Sequence, residues 1–581
     1  MPEAVVEKKK VGTGLLRAMF EQRVSAMKSE AQRFWPTLKD IKLYEAPTRG
    51  FFDDQPNDGK AIDHKTLLDE HPQYCSRTLG SGISSGMTSQ VRPWFKLGVS
   101  DQDLMDNQNV KLWLDTVEER MRNVFQRSNI YGALISFFEE LGSFATAAMY
   151  IGEDFDSVVR ARNFTAGEYF LSVGPDGRVN GFAREYWMTV DQLVKEYGKD
   201  NVSDTVKKSY ESKRAAELGQ WIKVIHLIEE NDDRVPDKAD FQNMKYRSIQ
   251  WESGSPADTF LRIGGYNDFP VLTAVWGVTT SADIYGKGAP GWLALGASKG
   301  LQKLQKDRYL ALDLQLKPPL QKDANVSGEV NTAPGGITTS SSNLPDAGVR
   351  PAYQVQISLA DVDKSIENTR ASVSRAFYTD LFLMLLQSDR RQVTAEEIAK
   401  KYEEKLMMLG PVLDVIEDFL DLLISRTFSI MLGLGMIPEI PEELQGQDIK
   451  IDFISVLSQA QKAIGTQAIQ ELCQFVGELR KAFPESGPED KIDVDEIIET
   501  FGEMKGVPAR LIRSAEIVAA MRKAKQEALL KQQQMQSGMQ AAEGAKTLSQ
   551  AKVGEGTALD AVIKALTGKD VPQKVQESKK Q

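Results

Sequence analysis

The sequence predicts an α+β subunit that is mainly helical, and three observations carry that expectation. Apolar residues recur at i, i+3, i+4 spacing over long stretches near both ends of the chain. β-Branched and aromatic runs broken by turn residues gather between residues 164 and 278. A Gly-, Ser- and Pro-rich stretch, 321–356, separates two long helical segments. At 581 residues, 41% apolar and 26% charged, the chain can bury a sizeable core as several domains or as one large irregular subunit.

Taken in order, residues 12–46 read as helix, with Leu15, Leu16, Met19, Phe20 and Val24 forming its apolar face. The stretch FFDDQPNDGKAID (51–63) breaks the pattern and reads as an exposed loop. Helix resumes over 64–91 and stops at Pro93, because the residue before proline is pushed out of the helical region. A long helical block runs from about Asn107 to Met149, burying Trp113, Val117, Met121, Val124, Phe125 and Leu134. FTAGEYFLSVGPDGRVNGFAREYWMT (164–189) reads as a hairpin about Gly174-Pro175-Asp176-Gly177, and 221–230, 246–253 and 269–278 as further strands. Residues 291–316 form one long helix ended by Pro318-Pro319, and 358–387 form a second. Thr394 and Glu397 make a capping box that opens a further helix, satisfying two otherwise orphaned backbone donors. Helical patterns continue to about residue 505, and a Gln-, Ala- and Lys-rich tail follows.

A net charge of −11 argues against a general nucleic-acid binder, whose footprint is basic. Cys75 and Cys473 are too few for a disulfide framework or a cysteine-rich zinc site and suit a reducing compartment. His64, His71 and His226 have no metal-ligand spacing and read as surface or core residues. The N-terminus lacks the apolar run of a signal peptide. The most membrane-like stretch, 419–437, is interrupted by Asp421 and Arg426 and reads as a buried helix, so a soluble protein is expected.

The stretch GSGISSGMT (80–88) is the best candidate for a nucleotide loop, and it fails in detail. A phosphate-binding loop needs lysine where Met87 stands and glycine where Ser81 stands. The dinucleotide pattern fits Gly80 and Gly82 but meets Ser85 at its third glycine. Read as helix, Leu79, Ile83 and Met87 form one apolar stripe, while Gly80, Gly82 and Gly86 keep the other faces thin enough for a second backbone to approach. Arg92, Pro93, Trp94 and Phe95 would then close that helix as an aromatic anchor. Acidic pairs such as Glu139-Glu140 and Glu229-Glu230 read as solvated faces, since a metal-dependent nuclease needs carboxylates converging from different elements. The chain has no G-x-S-x-G and no H-E-x-x-H. No catalytic residue, metal ligand or cofactor is expected, and an enzyme is the lesser reading.

Several stretches together resemble the portal, or head-to-tail connector, proteins of short-tailed double-stranded DNA bacteriophages. They are RFWPTLKDIKLYEAPTRG (33–50), LGSGISSGMTSQVRPWFKLGV (79–99), LGSFATAAMYIGEDFD (141–156), IYGKGAPG (284–291), PPL (318–320) with APGGI (333–337), and RRQVTAEEIAKKYEEKLMMLGPVLDVIEDFL (390–420). They keep the family's order across roughly residues 15–430, and the part beyond about 440 is not matched.

The resemblance implies a portal-type subunit with wing, helical stem, small clip and helical crown. Its divisions would be an N-terminal arm (1–63), an α+β wing (64–290), a first stem helix (291–316), a clip (317–357) and a second stem helix (358–387). A channel (tunnel) loop (388–394), a helical crown (395–505) and a C-terminal helix or tail able to form a barrel (506–581) would follow. It further implies a ring, usually a dodecamer, at one vertex of the virion capsid, made in the host cytoplasm during assembly. Double-stranded DNA would pass through the ring during packaging and ejection. Terminase large subunit, major capsid and scaffolding proteins and tail adaptor proteins would be its partners, with no membrane. Such a channel should not grip DNA, because each neutralised phosphate adds affinity. Lys299, Lys303 and Lys306 share one face of the first stem helix, and with Arg390 and Arg391 they are candidates for transient phosphate contact. Intersubunit salt bridges or a solvated face are the alternative for the same residues. Two other functions stay open: a ring-forming or internal virion scaffold without a DNA channel, and a degenerate terminase-like NTPase.

Overall fold

The computed structural model describes residues 13–56, 67–99, 101–105, 107–234, 243–256, 259–277, 283–322, 358–383, 395–444 and 449–454. It also describes shorter pieces at 280, 324, 326, 329–332, 337, 349–352, 446, 472–479, 481, 494–497, 518, 520–528 and 530–532. The chain divides into two compact units, Met1–Val507 and Pro508–Gln581. In the second, the described residues, between 518 and 532, are helical.

The first unit begins with α1 (Thr13–Gln32) and α2 (Trp35–Tyr44), where one continuous helix was expected. The break falls at Arg33–Phe34, and Pro36 sits in the first turn of α2, where its missing N–H costs nothing. The buried face of α1 is Phe20, Val24, Met27 and Ala31; Met19, expected inside, is 46% exposed. Helix α3 (His71–Met87) is shorter than expected at both ends. It stops because Thr88 leaves the helical region, and Pro93 lies beyond its end. Strand β1 (Phe95–Val99) and the short α4 (Gln102–Met105) follow.

The expected helical block 107–149 is three elements: α5 (Gln108–Arg127), α6 (Ile130–Phe144) and β2 (Thr146–Asp154). Asn107 caps α5 by accepting from the Asn109 N–H. Ser128 is extended and ends α5, and Ala145, left-handed at φ 65°, turns the chain from α6 into β2. Strand β3 (Val158–Phe164) returns alongside β2.

The expected hairpin forms as β4 (Tyr169–Val173) and β5 (Val179–Thr189) about Gly174–Gly177. Helices α7 (Val190–Tyr197), α8 (Asp204–Glu211) and α9 (Ala215–Leu218) cover one end of this region. Thr189 and Gln192 cap α7 reciprocally. Strands β6 (Trp221–Glu230), β7 (Tyr246–Glu252) and β9 (Val271–Val275) lie where expected, and β8 (Arg262–Tyr266) is an addition. The strands make two antiparallel sheets, β3-β2-β9 and β4-β5-β6-β7-β8. The apolar face of α1 packs on the second, against Phe170, Phe182, Leu227 and Trp251.

Helix α10 (Pro290–Leu316) matches its expected span to within one residue, with proline at its start. Strands β10 (Leu320–Lys322) and β11 (Val349–Pro351) pair at the described ends of the Gly/Pro-rich segment. Helix α11 (Leu359–Ala376) is capped by Ser358. It is not the continuous helix expected to 387: Phe377–Tyr378 break it, Tyr378 at φ 51°, and helix resumes over 379–383. Helix α12 (Ala395–Gly433) packs on α6 through stacked Phe137 and Phe419 rings, 4.0 Å apart between centroids. Helical pattern was expected to continue to about 505, yet β12 (Ile449–Phe453) pairs antiparallel with β1, from Phe95↔Phe453 to Val99↔Ile449. Buried residues of α12, with Ile437, Leu444 and Phe453, therefore share one core with α3, α5, α6 and β2. The membrane-like stretch lies partly in α12, with Arg426 held 3.5 Å from Asp268. Among the described residues no helix is long and apolar enough to cross a membrane.

Candidate functional site

Three features converge where the body of the chain meets its two long helices: a thin helix, a polar clasp and a lysine face. The thin helix is α3. A Cβ on Gly80 would stand 2.9 Å from the backbone nitrogen of Glu139 and 3.0 Å from the Ile135 carbonyl oxygen, so glycine lets α3 and α6 approach backbone to backbone. A Cβ on Gly82 would collide with Phe382, and Gly86 is buried. Ser76 and Ser143 hydroxyls meet at 2.8 Å in the same seam. Beyond α3, Trp94 and Phe95 are buried; Trp94 Nε1 donates to the Tyr131 hydroxyl at 3.2 Å and its ring stacks on Phe125. Arg92 and Pro93, expected to anchor with them, are exposed, because the chain has already left the helix at Thr88.

The polar clasp ties the approach to α3 to both long helices. Asp69 Oδ2 accepts from Gln305 Nε2 of α10 at 2.8 Å and from Arg370 Nη2 and Nε of α11 at 3.0 and 3.2 Å. Gln302 accepts from the backbone N–H groups of Leu68 and Asp69 and donates back to the Asp69 carbonyl. Burial pushes the Asp69 carboxyl up. The hydrogen bonds from the His71 N–H, Gln305 and Arg370, with the Arg370 charge, outweigh that and hold it below the usual range. His71 Nε2 lies 2.8 Å from the Ser374 hydroxyl and 3.5 Å from the buried Cys75 thiol. This histidine is therefore a structural partner of α11, and burial pushes the Cys75 thiol up.

Beside the clasp, Glu45 is buried at the end of α2. Its Oε1 accepts from Ser298 of α10 at 2.8 Å, and its Oε2 has no hydrogen-bond partner among the described residues. Burial, only partly offset by the Ser298 hydrogen bond, pushes its carboxyl up to about 8. A second buried acid, Glu140, accepts from Thr165 and the Ala166 N–H while Arg49 bridges it to Glu139. The pair read as a solvated face is thus partly a buried strut. Glu229 likewise lies buried beside Arg247 and Arg23.

The lysine face lies on α10. Lys303 and Lys306 are exposed. Lys299 donates to Asp40 Oδ2 of α2 at 2.6 Å, an intrachain ion pair worth at most about 1 kcal/mol in so exposed a place. Arg390, Arg391, Thr394 and His64 lie outside the described residues, as do 388–394 entire. Glu397 falls in the first turn of α12, its side chain likewise outside the described residues. The spacing could not reveal Asp69, Gln302, Gln305 and Arg370 as a set, because Asp69 bonds residues 233 to 301 positions away. The one local hint was Gln302 and Gln305, three apart and so on one helix face.

Among the described residues no group of three or more His, Cys, Asp or Glu side chains is placed to hold a metal ion. The arrangement is a close-packed junction of helices with Lys303 and Lys306 exposed on its α10 side. Residues 17–512 match the family model described as bacteriophage head to tail connecting protein, and the chain belongs to that family. It is 39% identical over 501 residues to the portal protein of Salmonella phage epsilon15, covering 86% of this chain and 89% of that one. It is 37% identical over 554 residues to the probable portal protein of Bordetella phage BPP-1, covering 95% and 99%. Among solved structures it is similar to the neck of an empty gene transfer agent (GTA) particle computed with C6 symmetry. That match has TM-score 0.36 and 10% identity, over 78% of this chain and 96% of that one. A virion of a native GTA particle matches with TM-score 0.33 and 10% identity, over 77% and 98%.

Proposed function

We propose that the chain is a portal subunit: copies close into a ring at one capsid vertex, and the ring is the channel for genome packaging and ejection. The observation that carries this reading is the family match across residues 17–512. The surface of α10 agrees with it. Leu293, Leu310 and Leu316 are 66%, 56% and 71% exposed, although they belong to one 27-residue helix. A helix with apolar residues on more than one side needs cover on more than one side. The single chain supplies only part of that cover, and neighbouring copies would supply the rest.

In this reading α10 and α11 are the stem, the β10–β11 end is the clip, α1 and α2 are the N-terminal arm, and the sheets β3-β2-β9 and β4-β5-β6-β7-β8 with α3 to α9 are the wing. Residues 388–394 are the channel loop, 395–505 the crown and 506–581 a C-terminal helix or tail. Twelve subunits, a terminase motor, capsid and scaffolding proteins and tail adaptors complete the proposal, with assembly in the host cytoplasm. DNA slides past few cations. Lys303 and Lys306, with Arg390 and Arg391, touch phosphates transiently, and Lys299 joins them only by leaving Asp40. The work is mechanical, with no cofactor.

Negative-stain microscopy of the purified full-length protein tests the reading. Closed rings with a central hole wide enough for a duplex are expected; monomers or open filaments would overturn it.

A further inference from the structure

Among the described residues the most exposed large apolar side chains are Phe155, 94% exposed, and Val91, 90% exposed. Neither belongs to the clasp or to the long helices. Phe155 stands at the tip of the β2–β3 hairpin, and the turn beneath it is tied by its own hydrogen bonds. Asp154 Oδ2 accepts from the Ser157 N–H at 3.0 Å and from the Ser157 hydroxyl at 2.6 Å. Val158 holds φ 71°, a conformation that a β-branched residue rarely adopts. Its side chain packs on the main core, which fixes the strained turn in place. The chain thus spends stability to present a phenylalanine to solvent between the acids Asp154 and Asp156. Val91 has the opposite setting, on the segment leaving α3 and next to the exposed Arg92.

The two sites lie at the same end of α6 and on opposite sides of it. Near the start of α6, Trp94 Nε1 reaches Tyr131, and Asn129 exchanges two hydrogen bonds with the backbone of Ala161 in β3. At about 100° per residue, positions 135, 139 and 142, which face α3, lie on one flank of α6. Positions 133 and 140, which bond to Asn163 and to Thr165–Ala166, lie on the other flank. A head-to-tail ring needs two different, complementary patches on the two sides of one chain. An aromatic knob between two aspartates on one flank, with Arg160 behind it, and a turn carrying Val91 and Arg92 on the other are two such different patches.

Resting on the ring reading above, we infer that the Phe155 hairpin of one copy docks on the Val91–Arg92 turn of the next copy. Phe155 covers Val91 and lies against the Arg92 guanidinium, a cation–π contact. Asp156 faces the same guanidinium, and the pair sets which flank meets which.

Paired cysteines test the inference in the full-length chain. Phe155→Cys and Val91→Cys are introduced together, with Cys473→Ser to remove the exposed native thiol and Cys75 left buried. Assembled protein is treated with a short bismaleimide. A ladder of covalent multimers is expected from the double variant and not from either single one. Rings by microscopy without a ladder would overturn the docking and leave the ring standing; no rings from the unaltered protein would overturn both. Covalent dimers from Phe155→Cys alone, the most that one accessible thiol per chain can give, would mean like meets like, and would overturn the pairing. As a second arm, Asp156→Arg and Arg92→Asp should each raise the concentration needed for half-assembly about fivefold, and together restore it. Failure of the double exchange to restore assembly would count against Arg92 as the receptor.

Discussion

Helices α6 and α10 are both rich in apolar residues, yet the chain treats them differently. Around α6 it places α3, α5, β2, β3 and α12, and of the side chains facing those neighbours Leu134, Phe137, Phe138 and Leu141 are at most 1% exposed. Around α10 it places α2, α11 and the clasp on one side and leaves Leu293, Leu310 and Leu316 in solvent. Their glycines make the same contrast. Gly80 of α3 and Gly142 of α6 sit where a methyl group would strike the opposite helix, whereas a methyl group on Gly296 or Gly300 of α10 would meet nothing within 4 Å. Glycine inside a helix costs about 1 kcal/mol against alanine. In the α3–α6 seam that cost is offset within the subunit. At Gly296 and Gly300 nothing among the described residues offsets it, which leaves room there for another copy, whereas Gly291 at the start of the same helix is packed against the Ser143 carbonyl of α6.

The largest effect that would break this comparison is expected in the seam. Gly80→Val should destabilise the subunit by about 3 kcal/mol or more, because backbone atoms of α6 cannot retreat as a flexible side chain would. A urea midpoint unchanged from the parent would show that the helices are not in close contact.

Next in size is pH. The folded value of about 8 for Glu45 lies above its ordinary 4.5, so the folded state holds the proton more tightly. Stability should therefore fall as pH rises from about 4.5 to about 8 and level off above that, by an amount on the order of a few kcal/mol. Glu118, pushed by burial up to about 7, adds a slope of the same sign. His226 acts in the opposite sense. Burial, reinforced by Arg184, Arg262 and Arg162, holds it down to about 3 from 6.5, so its contribution is lost as pH falls through that window. Chemical denaturation across pH should show Glu45→Gln flattening the alkaline limb and His226→Gln the acid limb. An unchanged alkaline limb in Glu45→Gln would mean that the junction of α2 and α10 is open to water.

The same contrast explains what the sequence made legible. Strand β6 and helix α10 were readable because period and flanking turn residues agree there. The α6–β2 boundary was not, because LGSFATAAM is small and apolar throughout and supports either period. The break at Phe377–Tyr378 has no Gly or Pro to announce it; packing of Phe377 and Phe382 imposes it. Strand β12 pairs with a partner more than three hundred positions earlier, beyond any local signal. The candidate site divides the same way: spacing put the three lysines on one face, but only the fold shows Asp40 beside Lys299.

Smaller effects sharpen the comparison. Gly296→Ala should stabilise the isolated subunit by about 1 kcal/mol and weaken assembly if a neighbouring helix approaches there; thermal melts and sedimentation together read both. Replacing Lys303 and Lys306 by glutamine should leave folding unchanged within about 0.5 kcal/mol and lower DNA retention most at low salt. Equal retention at all salt concentrations would remove these lysines from the channel.

The central claim, that the exposed leucines of α10 are covered by neighbouring copies, is tested most directly by sedimentation of the Leu293→Asp, Leu310→Asp double variant. It should melt within about 0.5 kcal/mol of the parent subunit yet remain a monomer where the parent assembles into rings. Assembly indistinguishable from the parent would contradict the account.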